Sequence, residues 1–383
     1  MTNLFDPALY AGARRPLTEA ETLPSWCYTS AEFHQREIER IFRPRWRFVG
    51  REDELQGEGA YRTIETFAGP VIVVRKRDGA LNAFLNSCRH RGAQLLEGEG
   101  NCTSIVCPYH SWKFGLDGAL LGAPAMEKSK NFDRNEHGLV PVRLETWRGF
   151  VFVNPNRDAA PLLSAWGDMP EVLGPYRFEE MVCVRRIEFD IACNWKMVTE
   201  NAMEEYHTGT VHRVSLGQQQ GEAVDTRGEW DALFIEQATT IALMTGEASP
   251  LPFITDLPAK HRSGTYFTMM YPSLQFACTQ DCMWWLDFQP NGPERTKVSV
   301  GFCFPRSTVA RPDFQQVVQR YYARWETSIA EDNGIGEVQQ RGMRASGRPP
   351  GRLSWKEHHV HKLGNWVLDQ VLDRPAPARV AAE

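Results

Sequence analysis

Residues 88–112 read CRHRGAQLLEGEGNCTSIVCPYHSW, and the two ends of this stretch decide the fold. Cys88-Arg-His90 stands at one end and Cys107-Pro-Tyr-His110 at the other, with sixteen residues between them. Each end offers one thiolate and one imidazole. Such a set can hold a two-iron cluster, with thiolates on one iron and imidazoles on the other, which raises the potential above that of an all-cysteine cluster. A Cys2His2 zinc site is the competing reading. Zinc fingers put two cysteines on one element and two histidines on the other. Here each element supplies one of each, which suits two irons better. The Arg91-Gly92 step lets the first loop turn tightly, so that backbone amides can approach the sulfurs.

Around this stretch the chain is β-rich from Trp46 to about Asn154. VIVVRKRDGALNAFLN (71–86) holds two strands about an Asp78-Gly79 turn, a hairpin signal. KFGLDGALLGAP (113–124) carries a second such turn at Asp117-Gly118. WRGFVFVN (147–154) suits one buried strand, and 155–170 reads as a connection. Upstream, AEFHQREIERIFR (31–43) predicts a short amphipathic helix with Phe33, Ile38, Ile41 and Phe42 on one side. Downstream, 195–208 is helix-like and 263–305 alternates as strands. A long amphipathic helix follows over 313–343, and a weaker one over 355–372. Strands flanked by a long helix imply an α+β fold.

A second constellation lies in NWKMVTENAMEEYHTGTVH (194–212). His207 and His212 with a distant carboxylate would make a facial triad with open positions for O2. Five residues turn an ideal helix by roughly 500°, so the helix must loosen between the two histidines. Gly209 lies in that interval and eases a bulge. Glu204 precedes His207 by three residues, which a helix would place on one side. Asn201 and Tyr206 are candidate supporting groups, with plain helix packing as the alternative. The third ligand must come from elsewhere, and Glu331, Asp332 and Glu337 are the candidates on the long helix.

Together these motifs resemble the Rieske non-haem iron oxygenases, over roughly residues 40–345. Cys88-Arg-His90-Arg-Gly and Cys107-Pro-Tyr-His110-Ser-Trp are similar to the family's cluster motif. Respiratory Rieske proteins carry an extra cysteine in each loop, where this chain has Ala93 and Tyr109, so the resemblance implies the lower-potential oxygenase type. Asn194-Trp-Lys followed by an acid-x-x-His-x4-His pattern resembles the iron motif, and Asp332 matches the distal carboxylate. The family resemblance implies an all-β Rieske domain at 44–155 and a helix-grip catalytic domain at 156–383, after an N-terminal helical segment at 1–43. It implies a [2Fe–2S] cluster, a mononuclear Fe(II), and NAD(P)H-derived electrons from a flavin and iron–sulfur reductase, with or without a ferredoxin. It also implies a head-to-tail homotrimer in which Glu204 joins His207 to a Rieske histidine of the neighbouring subunit. Ring-dihydroxylating members carry Asp at the Glu204 position. Glu is similar to the carnitine and choline monooxygenase branch, and so points to monooxygenation or oxidative demethylation rather than cis-dihydroxylation.

Composition narrows the rest. A formal charge of −5 gives no electrostatic reason for nucleic-acid binding. No apolar run approaches eighteen residues and no leader is evident, so a soluble, cytoplasmic protein is expected. Nine dispersed cysteines fit a reducing compartment. Cys278-x3-Cys282 reads as packing. His358, His359 and His361 read as an exposed face, since consecutive histidines diverge around a helix. Trp284-Trp285, Tyr266, Phe267, Tyr271, Phe276 and Phe288 offer pocket walls, of which strand alternation sends about half to one side. Such walls would suit a quaternary ammonium by cation–π attraction or an aromatic ring by stacking. Two other classes compete with an oxygenase. An electron carrier would need no second triad and far less chain, and a zinc-stabilised binding protein would hold no iron.

Overall fold

The computed structural model describes residues 3–372, so the outer ends of the expected 1–43 and 156–383 segments lie outside the described residues. The chain forms two compact units. One is Phe42–Ala165; the other combines the chain up to Ile41 with the chain from Trp166 onward.

The first unit is built from short antiparallel strands. Gly69–Arg75 pairs with Leu81–Leu85 about the Asp78-Gly79 turn and with Ala60–Thr66 on its other edge. Its four central residues alternate between two cores. Ile72 and Val74 join a cluster containing Cys88, Cys107, Trp112 and Phe114, and Val71 and Val73 join one containing Val151 and Val153. A strand buried on both faces needs an unbroken apolar run, and VIVV supplies it. The 147–154 run yields one buried strand, Phe150–Asn154, which pairs with Arg143–Trp147 in a hairpin whose turn takes up the start of the run. Arg148 and Gly149 turn the chain with φ of 46° and 83°. Two consecutive positive φ values are what a tight hairpin turn requires.

The second unit carries a seven-stranded antiparallel sheet. Its order is Met181–Ile191, Thr296–Pro305, Met283–Pro290, Leu274–Cys278, Gly264–Met270, Trp230–Glu236 and Gly221–Val224. The first strand and the last two go beyond the strands predicted from sequence. The long helix spans Phe314–Met343. Phe314, Val318, Tyr321, Trp325 and Ser328 form its buried stripe, at the three- and four-residue spacing of one helical face. Trp325 stacks on Phe302 of the sheet with ring centroids 4.2 Å apart. The fold is therefore α+β, with the long helix laid on an antiparallel sheet.

The predicted 31–43 helix runs as α-helix over Ala31–Glu37 and then widens into a π turn over Ile38–Phe42. The widening follows what is buried. Phe33 and Ile41 are inside as expected, but so is Glu37, whereas Ile38 is half-buried. Glu37 pairs with Lys196 at 2.7 Å, both side chains fully buried.

Candidate metal centres

The two cysteine–histidine loops share one backbone frame. The Cys88 amide donates to the Ala93 carbonyl (2.8 Å) and the Gly92 amide to the Cys88 carbonyl (2.9 Å). The Cys107 amide donates to the Trp112 carbonyl (2.8 Å) and the Ser111 amide to the Cys107 carbonyl (3.1 Å). The fourth residue after each cysteine has positive φ, 74° at Gly92 and 57° at Ser111. Glycine meets this freely; a serine gives up roughly 1–2 kcal/mol to do so.

This frame sorts the donors. Cys88 and Cys107 are buried in the apolar cluster and form no disulfide. Burial pushes the Cys88 thiol up, while the backbone N–H groups of His90 and Arg91 are aimed at it and pull it down. The imidazoles lie toward solvent. His90 stacks on Trp112 (5.0 Å, 7°), His110 stacks on Tyr109 (3.8 Å), and the two histidine rings are 4.8 Å apart. His110 Nδ1 is buried without a partner. Thiols on the core side, imidazoles on the solvent side and an orphaned ring nitrogen fit a [2Fe–2S] cluster with chemically distinct irons.

The second set converges in the other unit. One ligand atom from each of His207, His212 and Asp332 lies within 4.8 Å of the others. Asp332 Oδ1 is 3.1 Å from His212 Nε2 and 3.5 Å from His207 Nε2, yet it is buried with no well-formed hydrogen bond. Carboxylates engage both imidazoles at the far nitrogen: Glu204 Oε1 lies 2.5 Å from His207 Nδ1, and Glu331 Oε2 lies 2.7 Å from His212 Nδ1. A proton held at each Nδ1 turns the Nε2 lone pairs toward Asp332. Burial lowers the His212 pKa, but Asp332 and Glu331 outweigh it and hold the ring above its ordinary value. Two inward lone pairs and an unsatisfied carboxylate oxygen fit a divalent cation.

The local fold differs from the expected helix over 195–208. Asn194 caps Trp195–Asn201 through the Lys196 amide (3.0 Å), and the helix then stops. Glu204 therefore faces His207 through a turn, in which its Oε2 accepts from the amides of Tyr206 and His207. A single helical turn, Thr208–Val211, separates the histidines, with His207 and His212 as its caps. Gly209 lies inside that turn, so the loosening sits at the two ends and not at the glycine. Tyr206 is 60% exposed and serves the site through its backbone amide, whereas Asn201 lines the cavity beside it.

Asp332 and Glu331 divide the work. Asp332 lies about five turns beyond Phe314, on the buried stripe. Glu331, one position earlier, is no solvated face residue: it holds His212 and accepts from Ser215 Oγ at 2.6 Å. Sequence reasoning missed this role, although the stripe register was the signal available. Glu337 accepts from the Ala192 amide (3.2 Å), away from the set.

A cavity of about 110 Å³, partly open to solvent, adjoins His207, His212 and Asp332. Phe267, Trp284 and Phe288 line it, with Leu286 between the last two along the strand. Trp285, Tyr266, Tyr271 and Phe276 are absent from its walls, as alternation requires on the paired strands. Cys278 and Cys282 are fully buried packing residues. The C-terminal histidines depart from expectation: His359 is buried with Nδ1 3.7 Å from Asp231, and His361 Nε2 contacts the Arg15 carbonyl at 2.9 Å. His358 alone is exposed among the three.

Comparison with known proteins agrees with both centres. Residues 178–373 match the family described as ring hydroxylating alpha subunit (catalytic domain), and residues 45–135 match the Rieske [2Fe-2S] domain. Chloroplastic choline monooxygenase of Spinacia oleracea is 27% identical over 372 residues, covering 95% of this chain and 80% of that protein. The large subunit of anthranilate 1,2-dioxygenase from Burkholderia cepacia is 36% identical over 219 residues, about half of each chain. The crystal structure of the quaternary ammonium Rieske monooxygenase CntA with γ-butyrobetaine superposes with a TM-score of 0.77 at 25% identity, over 94% of this chain and 98% of that one.

Proposed function

The chain belongs to the ring-hydroxylating alpha-subunit family, and we propose on that basis that it is the terminal oxygenase component of a Rieske-type system. Residues 44–155 are assigned the [2Fe–2S] cluster, on Cys88, His90, Cys107 and His110, and the chain from 156 the mononuclear Fe(II), on His207, His212 and Asp332. The observation that carries this reading is the convergence of His207, His212 and Asp332 in a chain that also presents the two cysteine–histidine loops. When bound, the two metal groups supply one-electron transfer and O2 activation, the chemistry that cofactors bring and side chains cannot.

The protein's own groups do the positioning. Glu204 and Glu331 fix the tautomer and plane of the two imidazoles. Phe267, Leu286, Phe288 and Val298 give the cavity apolar walls. Among the described residues no helix is long and apolar enough to cross a membrane. The chain draws its electrons from a reductase or ferredoxin and works as an oligomer. In finer detail, the reading is a cytoplasmic homotrimer fed from NAD(P)H by a flavin and iron–sulfur reductase. In that trimer Glu204 links His207 to His110 of the neighbouring subunit. The substrate is a small organic molecule, either aromatic or a quaternary ammonium, that is hydroxylated or oxidatively demethylated.

The test is product analysis with labelled O2, a suitable reductase, and a panel of aromatic acids and betaines. One labelled oxygen with release of formaldehyde means demethylation; two on a ring mean dihydroxylation. Three irons per chain and a reduced-state Rieske EPR signal are expected. Iron limited to two per chain would rule the oxygenase out and leave an electron carrier.

A further inference from the structure

The cavity beside His207, His212 and Asp332 contains an arginine that no metal ligand uses. Arg324 lies on the long helix, is 95% buried at 5% exposure, and lines the cavity. Its Nε donates to the Ile241 carbonyl (3.0 Å) and its Nη1 to Ser328 Oγ (3.1 Å). Nη2 has no hydrogen-bond partner among the described residues, and the nearby acids Asp332 and Glu331 act on the guanidinium through space without a hydrogen bond to it. Burial pulls Arg324 down to about 10, so it is still a cation at neutral pH. A buried guanidinium whose acids lie out of hydrogen-bond reach, and are themselves committed to the histidines, gains from an anion paired to it directly.

The other charged groups around the cavity are already engaged. Glu204 holds His207, Glu205 meets Lys356 at 3.4 Å, and Asp332 belongs to the metal donor set. The guanidinium also covers the face of Trp284, 5.1 Å from its centroid. That ring face is therefore taken, and it cannot serve as one wall of an ammonium cage. Phe267, Leu286, Phe288 and Val298 remain as apolar wall. Arg324 and Asp332 both line the cavity, from positions eight residues apart on the same helix.

We propose that the cavity binds an aromatic carboxylic acid, its carboxylate paired with Arg324 Nη2 and its ring held against Phe267 and Phe288 near the metal donors. This rests on the oxygenase reading of the cavity and selects the substrate class within it. A simple quaternary ammonium would meet a buried like charge, and a betaine, which offers the same carboxylate to Arg324, is the competing ligand in the test.

Calorimetric titration of the iron-loaded, oxidised protein without reductase tests this. The probes are benzoate, salicylate and anthranilate, against benzyl alcohol, γ-butyrobetaine and choline. At least one acid is expected to bind about 10-fold or more tighter than benzyl alcohol and the two ammonium compounds. Arg324→Gln should weaken acid binding about 10- to 100-fold and leave benzyl alcohol within about 2-fold, as loss of a charge-assisted bond predicts. Arg324→Lys, which keeps the charge, should retain acid binding within about 10-fold and serves if the glutamine variant does not fold. No binding of any acid, equal affinity for benzyl alcohol, tighter binding of choline or γ-butyrobetaine, or acid binding unchanged in Arg324→Gln overturns the assignment. An acid that binds through Arg324 but takes up no labelled oxygen would count against the oxygenase reading and leave the binding assignment standing.

Discussion

At the scale of single residues, the site depends on two carboxylates that are not among the proposed ligands. Glu331 fixes His212, and Glu204 fixes His207. Loss of such a partner typically lowers metal affinity or activity by about 10- to 100-fold. Glu331→Gln should therefore weaken Fe(II) binding by that factor, measured by competition with a chelator, while the cluster's EPR signal stays unchanged. Undiminished iron affinity would mean that Ser215 and the local backbone hold His212 without help. Glu204→Gln should keep both metals when loaded with excess Fe(II) and still nearly abolish turnover, by about 100-fold or more, because the proposed route between centres runs through this carboxylate. Full activity in that variant would sink the proposed route. The histidines were legible as a pair because His-x4-His followed a cluster motif. The split between Glu331 and Asp332 was less so: adjacent acids sit about 100° apart on a helix, and the stripe running from Phe314 puts Asp332 beside both histidines while Glu331 meets His212 from its other nitrogen. Arg324 gave no signal at all, since its place on that stripe read as one more helix residue.

At the scale of elements, the short helix Trp195–Asn201 ties the N-terminal segment to the catalytic unit. Lys196 pairs with Glu37, whose Oε2 also accepts from Trp195 Nε1 at 3.2 Å. Burial raises Glu37, and Lys196 offsets only part of the rise. Breaking a fully buried pair from one side strands a charge, so Lys196→Met should cost about 3–5 kcal/mol in urea unfolding. The Glu37→Leu, Lys196→Met double variant should recover much of that loss, and a double variant as unstable as the single one would mean the ion pair is not the source. One turn on, the Tyr28 hydroxyl donates to Glu200 at 2.7 Å. Burial pushes Glu200 from 4.5 up to about 7, Tyr28 and Lys196 resist, and Glu357 and Glu37 add to the rise. Between those values the native state keeps a proton that the unfolded chain has lost. Stability is thus full below about 4.5 and is lost as pH rises through about 7. The loss amounts to up to about 3 kcal/mol. Unfolding midpoints across pH 4–8 should show this slope, and Glu200→Gln should flatten it; a slope unchanged in the variant would place its origin elsewhere. The sequence pattern showed the long helix and the Asp-Gly hairpins because their periodicity and turn residues agree. It misjudged 195–208, where the polar run ENAMEEY looks helical but Glu204 diverts the backbone by accepting two amides. It passed over Met181–Ile191 because that edge strand is only half-buried and mixes charged with apolar residues.

At the scale of the whole molecule, the proposed centres draw on different units and different cores. The cluster loops are anchored on the apolar cluster that includes Ile72, Trp112 and Phe114. The mononuclear set hangs on the long helix and on the turn after Asn201, whose packing is supplied by the seven-stranded sheet. Nothing in either donor set belongs to the other unit, so the two should be separable by mutation. His212→Ala removes one donor and leaves Asp332 and Glu331 without their shared imidazole. Nothing that packs around Cys88 or Cys107 changes with it. This variant should fall from three irons to two per chain, keep the brown colour and the reduced-state Rieske signal, and form no oxygenated product. Cys107→Ser should do the reverse. It removes a thiolate from the buried side of the cage, so the colour and the cluster signal should vanish, while Co(II) added as a spectroscopic probe should still occupy the His207, His212 and Asp332 set. If the cluster were instead needed to fold the catalytic unit, Cys107→Ser would lose Co(II) binding as well, and the two units could not be treated as independent folding cores. A variant pair that behaves as expected would also explain why the two motifs were readable separately. Each is a local solution, a pair of matched loops in one case and a helix stripe meeting a capped turn in the other, and each needs only its own unit to take shape.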